Sequence, residues 1–139
     1  MDQRISLITL AVADVARSRA FYVDGLGWTP EFEAPGVLML RAGQHLLFSL
    51  WSEDEFEDEV GPINRGSGVA PLTLAHNVGS KAEVDDVLQT ARAAGADPIA
   101  EAVDREWGGY SGYFGDPDGY RWEIACAPGQ VNDVVVPRE

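Results

Sequence analysis

A chain of 139 residues with 45% apolar content holds enough material for one folded domain with a core, which excludes disorder over its whole length. Its 23 acidic against 10 basic residues give a net charge of −13; such a surface repels phosphate backbones, disfavours nucleic acid as a partner and attracts cationic small molecules, although solubility is the simpler use of most of the charge. One cysteine, Cys126 in the apolar run 124–127, excludes an intramolecular disulfide and a cysteine metal cluster.

The opening segment MDQRISLITLAVAD is charged too early and is too short for a membrane span, and it lacks a cleavage site after an apolar region. No membrane partner and a cytoplasmic location are therefore expected. Within it, residues 5–12 are rich in β-branched and aliphatic side chains and read as a strand. Asp14 is placed to cap the next element, VARSRAFYVDGLG, a helix that ends at Gly25 or Gly27 and buries Val15, Phe21, Tyr22 and Leu26. WTPEFEAPG reads as a short strand and a turn. VLMLRA and HLLFSLWS read as two strands joined as a hairpin around Gly43.

The composition then shifts. Residues 53–68 are acidic at the front and glycine-rich at the back, a linker whose front can form one or two helical turns capped by Ser52. Its acids read as a solvated helix, or as a lip that gathers cations.

The second half repeats the order of the first. APLTLAHNV reads as a strand. SKAEVDDVLQTARAAGA is the clearest helix, with Ser80 and Glu83 as a capping box, Val84, Val87, Leu88 and Ala91 at helical spacing, and Gly95 as its stop. DPIAEAVDREW holds a strand. YSGYFG and YRWEIACA are strands joined by DPDG, where proline fixes one dihedral and glycine takes a positive one. The predicted fold class is α+β, with two paired βαβββ modules forming a cup-shaped mixed sheet with helices outside. The expected boundaries are one domain over 1–139, a first module at 5–52, the linker at 53–68, a second module at 69–127 and a tail at 128–139.

ITLAVADVARSRAFYVDGLGW resembles the start of the first module of the vicinal oxygen chelate superfamily, which includes glyoxalase I, bleomycin resistance proteins and extradiol dioxygenases. GYFGDPDGYRWEIA resembles the end of its second module, and the resemblance spans residues 5–127. It implies a shared cup that binds a small molecule, a homodimer, and, in metal-dependent relatives, four cup side chains that hold a divalent ion.

Carried over position by position, the resemblance places Leu7 at the first ligand position and the stretch LLFSLWS at the second. It places Thr73 at the third and Glu123 at the fourth. Leucine donates nothing, the stretch holds no acid or histidine, and threonine is a poor ligand for a catalytic divalent ion. One good ligand falls short of the three that catalytic zinc takes from the protein, so no metal and no cofactor are expected. His76 is the one rescue candidate for a non-standard site, but strand alternation turns it away from Thr73, Ala75 and Asn77. His45 follows the hairpin turn.

The same alternation lines the cup with Leu7, Thr9 and Ala11, with Thr73, Ala75 and Asn77, and with Arg121, Glu123 and Ala125. Tyr120, Trp122 and Ile124 then point to the helices. Trp107 and Tyr110 flank two glycines, so their rings either close over a ligand or plug a sheet edge. Trp51 mirrors Trp107 at the end of the first half, Trp28 is core or a dimer contact, and Phe48 and Phe114 are cup walls or core. The expected ligand contacts are Thr9, Phe48, Trp51, Thr73, Asn77, Trp107, Tyr110, Phe114, Arg121 and Glu123.

Glu123 has three readings. It is a remnant of a metal site now paired with Arg121 or a tyrosine, an acceptor for a ligand or an attractor of a cationic one, or a general base. The expected function is a small-molecule-binding protein like those of glyoxalase and bleomycin resistance type, without the family metal, that takes a cationic or aromatic ligand. The alternative is an enzyme of the same superfamily, like lactoylglutathione lyase or an extradiol dioxygenase. It would be either metal-dependent or metal-free, in the latter case with Glu123 as acid or base alongside Tyr110, Tyr113 or Arg121. An interaction module with no ligand is the third reading.

Overall fold

Asp14 ends one element and starts the next. Its carboxylate accepts from the backbone N–H groups of Ala16 and Arg17 at 2.9 and 3.2 Å, which stops strand β1 (Leu7–Val12) and caps helix α1 (Val15–Arg19). The computed structural model describes residues 1–137, in two units that divide between Ser67 and Gly68.

In the first unit, α1 does not run on as a regular helix to Gly25. It passes into a π-helical turn, Ala20–Gly25, in which the Leu26 N–H reaches back to the Phe21 carbonyl at 2.9 Å. The wider turn brings consecutive side chains closer together around the axis. Phe21 and Tyr22 are both buried, with ring centroids 5.1 Å apart and edge to face. Strands β2 (Pro30–Ala34), β3 (Val37–Arg41) and β4 (Leu47–Ser52) follow, and the sheet order is β1-β4-β3-β2, with β1 parallel to β4 and the other pairs antiparallel. Leu10, Val12, Leu38, Leu40, Phe48 and Leu50 alternate along their strands and form the buried core with the two rings. The acidic run begins as helix α2 (Glu53–Glu59), capped by Ser52, and Arg65 pairs with Glu53 and Glu57 at 3.1 and 3.3 Å.

The second unit contains β5 (Thr73–Asn77), α3 (Lys81–Ala93), β6 (Ile99–Asp104), β7 (Tyr110–Gly115) and β8 (Arg121–Cys126). Its sheet order, β5-β8-β7-β6, repeats that of the first unit, and β5 again runs parallel to β8. The fold is α+β, two βαβββ modules, each a four-stranded mixed sheet with helix packed against it. Ser80 caps α3, its hydroxyl accepting from the Glu83 N–H and donating to the Glu83 carboxylate, and Val84, Leu88 and Ala91 form the helix's buried stripe. Between β7 and β8, the buried Asp116 accepts from the N–H groups of Asp118 and Tyr120 at 3.0 and 2.9 Å, while Gly119 takes φ +84°. That turn fixes the register that sets Tyr113 opposite Glu123.

Residues 128–139, expected as a tail, hold a further helix, α4 (Gln130–Val135); Arg138 and Glu139 lie outside the described residues. Its Asn132 fastens it to the sheet. Asn132 Oδ1 accepts from the Ala127 N–H at 3.2 Å and its Nδ2 donates to the Val78 carbonyl at 3.0 Å.

Candidate functional site

Along β8, Trp122 and Ile124 are buried while Glu123 points to the other face, as the period of two requires. Glu123 has Ala75 of β5 on one side and Tyr113 of β7 on the other. On this face lies a cavity of about 530 Å³, a size that suits a small ligand. Ala75, Asn77, Glu123 and Ala125 form its floor, Trp107 one side, and Ala127, Pro128 and Val131 another.

The floor carries one engaged carboxylate. The Tyr113 hydroxyl donates to Glu123 Oε1 at 2.9 Å. Partial burial, and then that bond to the carboxylate, push the Tyr113 phenol above its ordinary value; the neighbouring Arg105 pulls the other way. Arg105 lies with its guanidinium 5.7 Å from the Tyr113 ring centre, held by the Ser111 hydroxyl at 2.9 Å and carbonyl at 3.0 Å. Trp107 reaches the cavity because Gly109 lets it. A Cβ at Gly109 would fall 1.8 Å from the indole, so only glycine admits the ring there.

The expected contacts divide by face. Asn77, Trp107 and Glu123 meet at the cavity. Thr73 is exposed, opposite Arg121, whose guanidinium bends back to donate to the Gly119 carbonyl at 2.8 Å. Tyr110 and Phe114 lie on the other face: alternation along β7 sends them to the helix side. Tyr110 donates to Asp85 of α3 at 2.9 Å under the Lys81 ammonium, and Phe114, 2% exposed, stacks on Trp122 at 6.1 Å. Phe48 takes the core alternative as well. It is buried at 5.4 Å from Tyr22 and 6.0 Å from Trp28, a core ring of the first unit. Thr9 pairs with Ser49 in the first unit, and Trp51 sits 6.4 Å from Phe56 of α2.

Pro128, Val131 and Asn132 were outside the expected site. The signal for them was faint: Val131, Val134 and Val135 fall at helical spacing after Gly129, but the stretch is short and has no capping side chain.

The residues at the four implied metal positions do not fit a divalent ion. Leu7 and the β4 side chains bring no carboxylate or imidazole, Thr73 brings a hydroxyl, and Glu123 stands alone. His76 pairs with Ile124 on the face away from Glu123 and is exposed. Among the described residues no three His, Cys, Asp or Glu side chains come together as a ligand group.

The sequence profile of the Glyoxalase/Bleomycin resistance protein/Dioxygenase superfamily matches residues 4–124. Among solved structures, the chain is similar to a glyoxalase-related enzyme from Fulvimarina pelagi, with 33% identity over 91% of this chain and 89% of that one and a TM-score of 0.81. It is also similar to a glyoxalase/bleomycin resistance protein/dioxygenase from Nocardioides, with 25% identity over 94% and 90% of the two chains and a TM-score of 0.74. A lactoylglutathione lyase from Agrobacterium tumefaciens shares 25% identity over 90% and 94%, with a TM-score of 0.69. No curated protein matches the sequence.

Proposed function

Because the chain belongs to the Glyoxalase/Bleomycin resistance protein/Dioxygenase superfamily, we propose that it is a small-molecule-binding member that works without the family metal and takes a cationic or aromatic ligand in the cavity of the second unit. The observation that carries this reading is the Glu123 carboxylate on the floor of an open cavity, beside an indole that is 53% exposed. A carboxylate and an aromatic face together recognise a positive charge on a planar body. The net charge of −13 draws such ligands toward the protein.

Tryptophan quenching against a panel of cationic and aromatic compounds tests the reading, with Trp107→Phe as the control that separates Trp107 from the other three tryptophans. Saturable quenching that Trp107→Phe abolishes is expected. A panel that leaves Trp107 untouched overturns the reading.

The Tyr113–Glu123 pair also favours a second reading, an enzyme that moves a proton at this floor with Glu123 as base. Turnover of the methylglyoxal–glutathione adduct by the purified protein, lost in Glu123→Gln, is the result that would replace the binding reading with this one. The proposal includes a homodimer in the cytoplasm, for which sedimentation velocity gives the oligomeric state. No helix of the described residues is long and apolar enough to cross a membrane.

A further inference from the structure

The cavity's second polar group after Glu123 is the Asn77 carboxamide, and a carboxamide has two ends that a ligand reads oppositely. Which end faces the ligand is decided away from the cavity. The Ala127 N–H can only donate and the Val78 carbonyl can only accept. They bond the two ends of the Asn132 side chain, at 3.2 and 3.0 Å, and so fix which end is oxygen. With Asn132 Oδ1 fixed, Asn77 must offer it an N–H, and Asn77 Nδ2 does so at 3.1 Å. Two backbone groups thus set Asn132, and Asn132 sets Asn77.

The end of Asn77 left over is Oδ1, to which no described residue donates. Glu123 has the same character, because Tyr113 takes Oε1 and leaves Oε2. Asn77 pairs with Ala125, two residues along β8 from Glu123, so the two leftover oxygens belong to diagonal neighbours on adjacent strands. The floor thus presents two open acceptors, and its remaining side-chain donor is the second N–H of Asn77 Nδ2, on the nitrogen that bonds Asn132.

We propose that Asn132 is a specificity-determining residue which, by orienting Asn77, makes the cavity select a cation that carries a second N–H donor and reject one whose second arm only accepts. This deepens the binding reading above and rests on it. An acceptor arm set against Asn77 Oδ1 leaves two oxygens facing each other, whereas a donor arm there satisfies Asn77 without any rearrangement. Asn132 does not touch the ligand; it is a positioning residue.

The test uses two probes that share a benzylammonium to meet Glu123 and differ in the second arm: 3-aminobenzylamine, with an N–H donor, and 3-acetylbenzylamine, with an acceptor only. Binding to the full chain is followed by NMR at the Trp107 indole and the Asn77 carboxamide. The expected result is a preference of about fivefold or more for the amino probe, the scale of one hydrogen bond made or lost. That ratio collapses toward one in Asn132→Ala, where Asn77 is free to turn, and persists in Asn77→Asp, which presents oxygen either way round.

Equal or tighter binding of the acetyl probe by the unaltered protein overturns the inference and leaves the binding reading standing. Failure of both amines to bind at millimolar concentration overturns the inference, and the compound panel above then decides the binding reading. An unchanged ratio in Asn132→Ala removes Asn132 from the role. Should that variant not fold, the unaltered protein still decides the orientation. The Asn77 Nδ2 protons must show slowed solvent exchange and a nuclear Overhauser contact to the Ala127 N–H, and the absence of both overturns the proposal.

Discussion

Tyr113 and Glu123 face each other across the β7–β8 pair, and the phenol donates to the carboxylate at 2.9 Å. The bond has two consequences. It gives Glu123 the partner that a half-buried carboxylate needs, and it holds the phenol in its protonated form. The first bears on ligand binding and the second on alkaline stability.

Tyr113 has a folded-state pKa raised above its ordinary value near 10, by burial first and by the Glu123 bond second. A raised value means that the folded state holds the proton more tightly than the unfolded chain. The stabilisation is therefore fully present below about pH 10 and is lost as pH rises through the folded value. Urea unfolding between pH 9 and pH 11.5 is expected to show stability falling with pH, and Tyr113→Phe is expected to flatten part of that slope. An identical slope in the variant removes Tyr113 as its source.

Glu123→Gln keeps the shape of the floor and removes its charge. Affinity for 3-aminobenzylamine is expected to fall by about tenfold or more, since a hydrogen bond to a charged group contributes roughly 1.5–3 kcal/mol. The affinity is read by the same NMR titration. A melting temperature close to that of the unaltered protein shows that the loss belongs to the site and not to the fold.

Phe114→Ala separates a core ring from a ligand wall. Buried at 2% exposure and stacked on Trp122, Phe114 is expected to cost about 3–5 kcal/mol on truncation. Chemical denaturation measures it. A loss below about 1 kcal/mol would place the ring outside the core.

Ser80→Ala removes the cap of α3, whose hydroxyl accepts from the Glu83 N–H at 3.3 Å and donates to the Glu83 carboxylate at 2.8 Å. The expected cost is about 1 kcal/mol. Ser80→Asp restores the acceptor and is expected to recover most of it, in the same denaturation measurement.

The sequence carries the alternation of β8 plainly, because large apolar side chains at Trp122 and Ile124 frame Glu123. It carries the two modules as well, through Asp14, the Ser80–Glu83 pair and the DPDG turn, each of which acts on its own neighbours. Along β7 the pattern is blurred: tyrosine occurs at both 110 and 113, with small residues between, so either ring suits either face. Only the register set by Asp116 and Gly119 across the turn places Tyr113, and not Tyr110, against Glu123. The π-helical turn is invisible because nothing in AFYVDG marks a bond five residues back over one four residues back. Helix α4 is six residues long and starts at Gly129 with no side-chain cap, so local signals for it are weak; what holds it is Asn132, through partners as distant in sequence as Asn77 and Val78.

The fastening of α4 bears on how the protein's preference can drift over generations. A change at Asn132 alters no atom that a ligand touches and need not disturb Glu123 or Trp107, yet it releases the amide that reads the second arm. Descendants that differ at this one residue would share a cavity outline and differ in what they accept. Sorting relatives of this chain by the residue at its position 132 is then a sharper guide to their ligands than sorting them by the residues that line the floor.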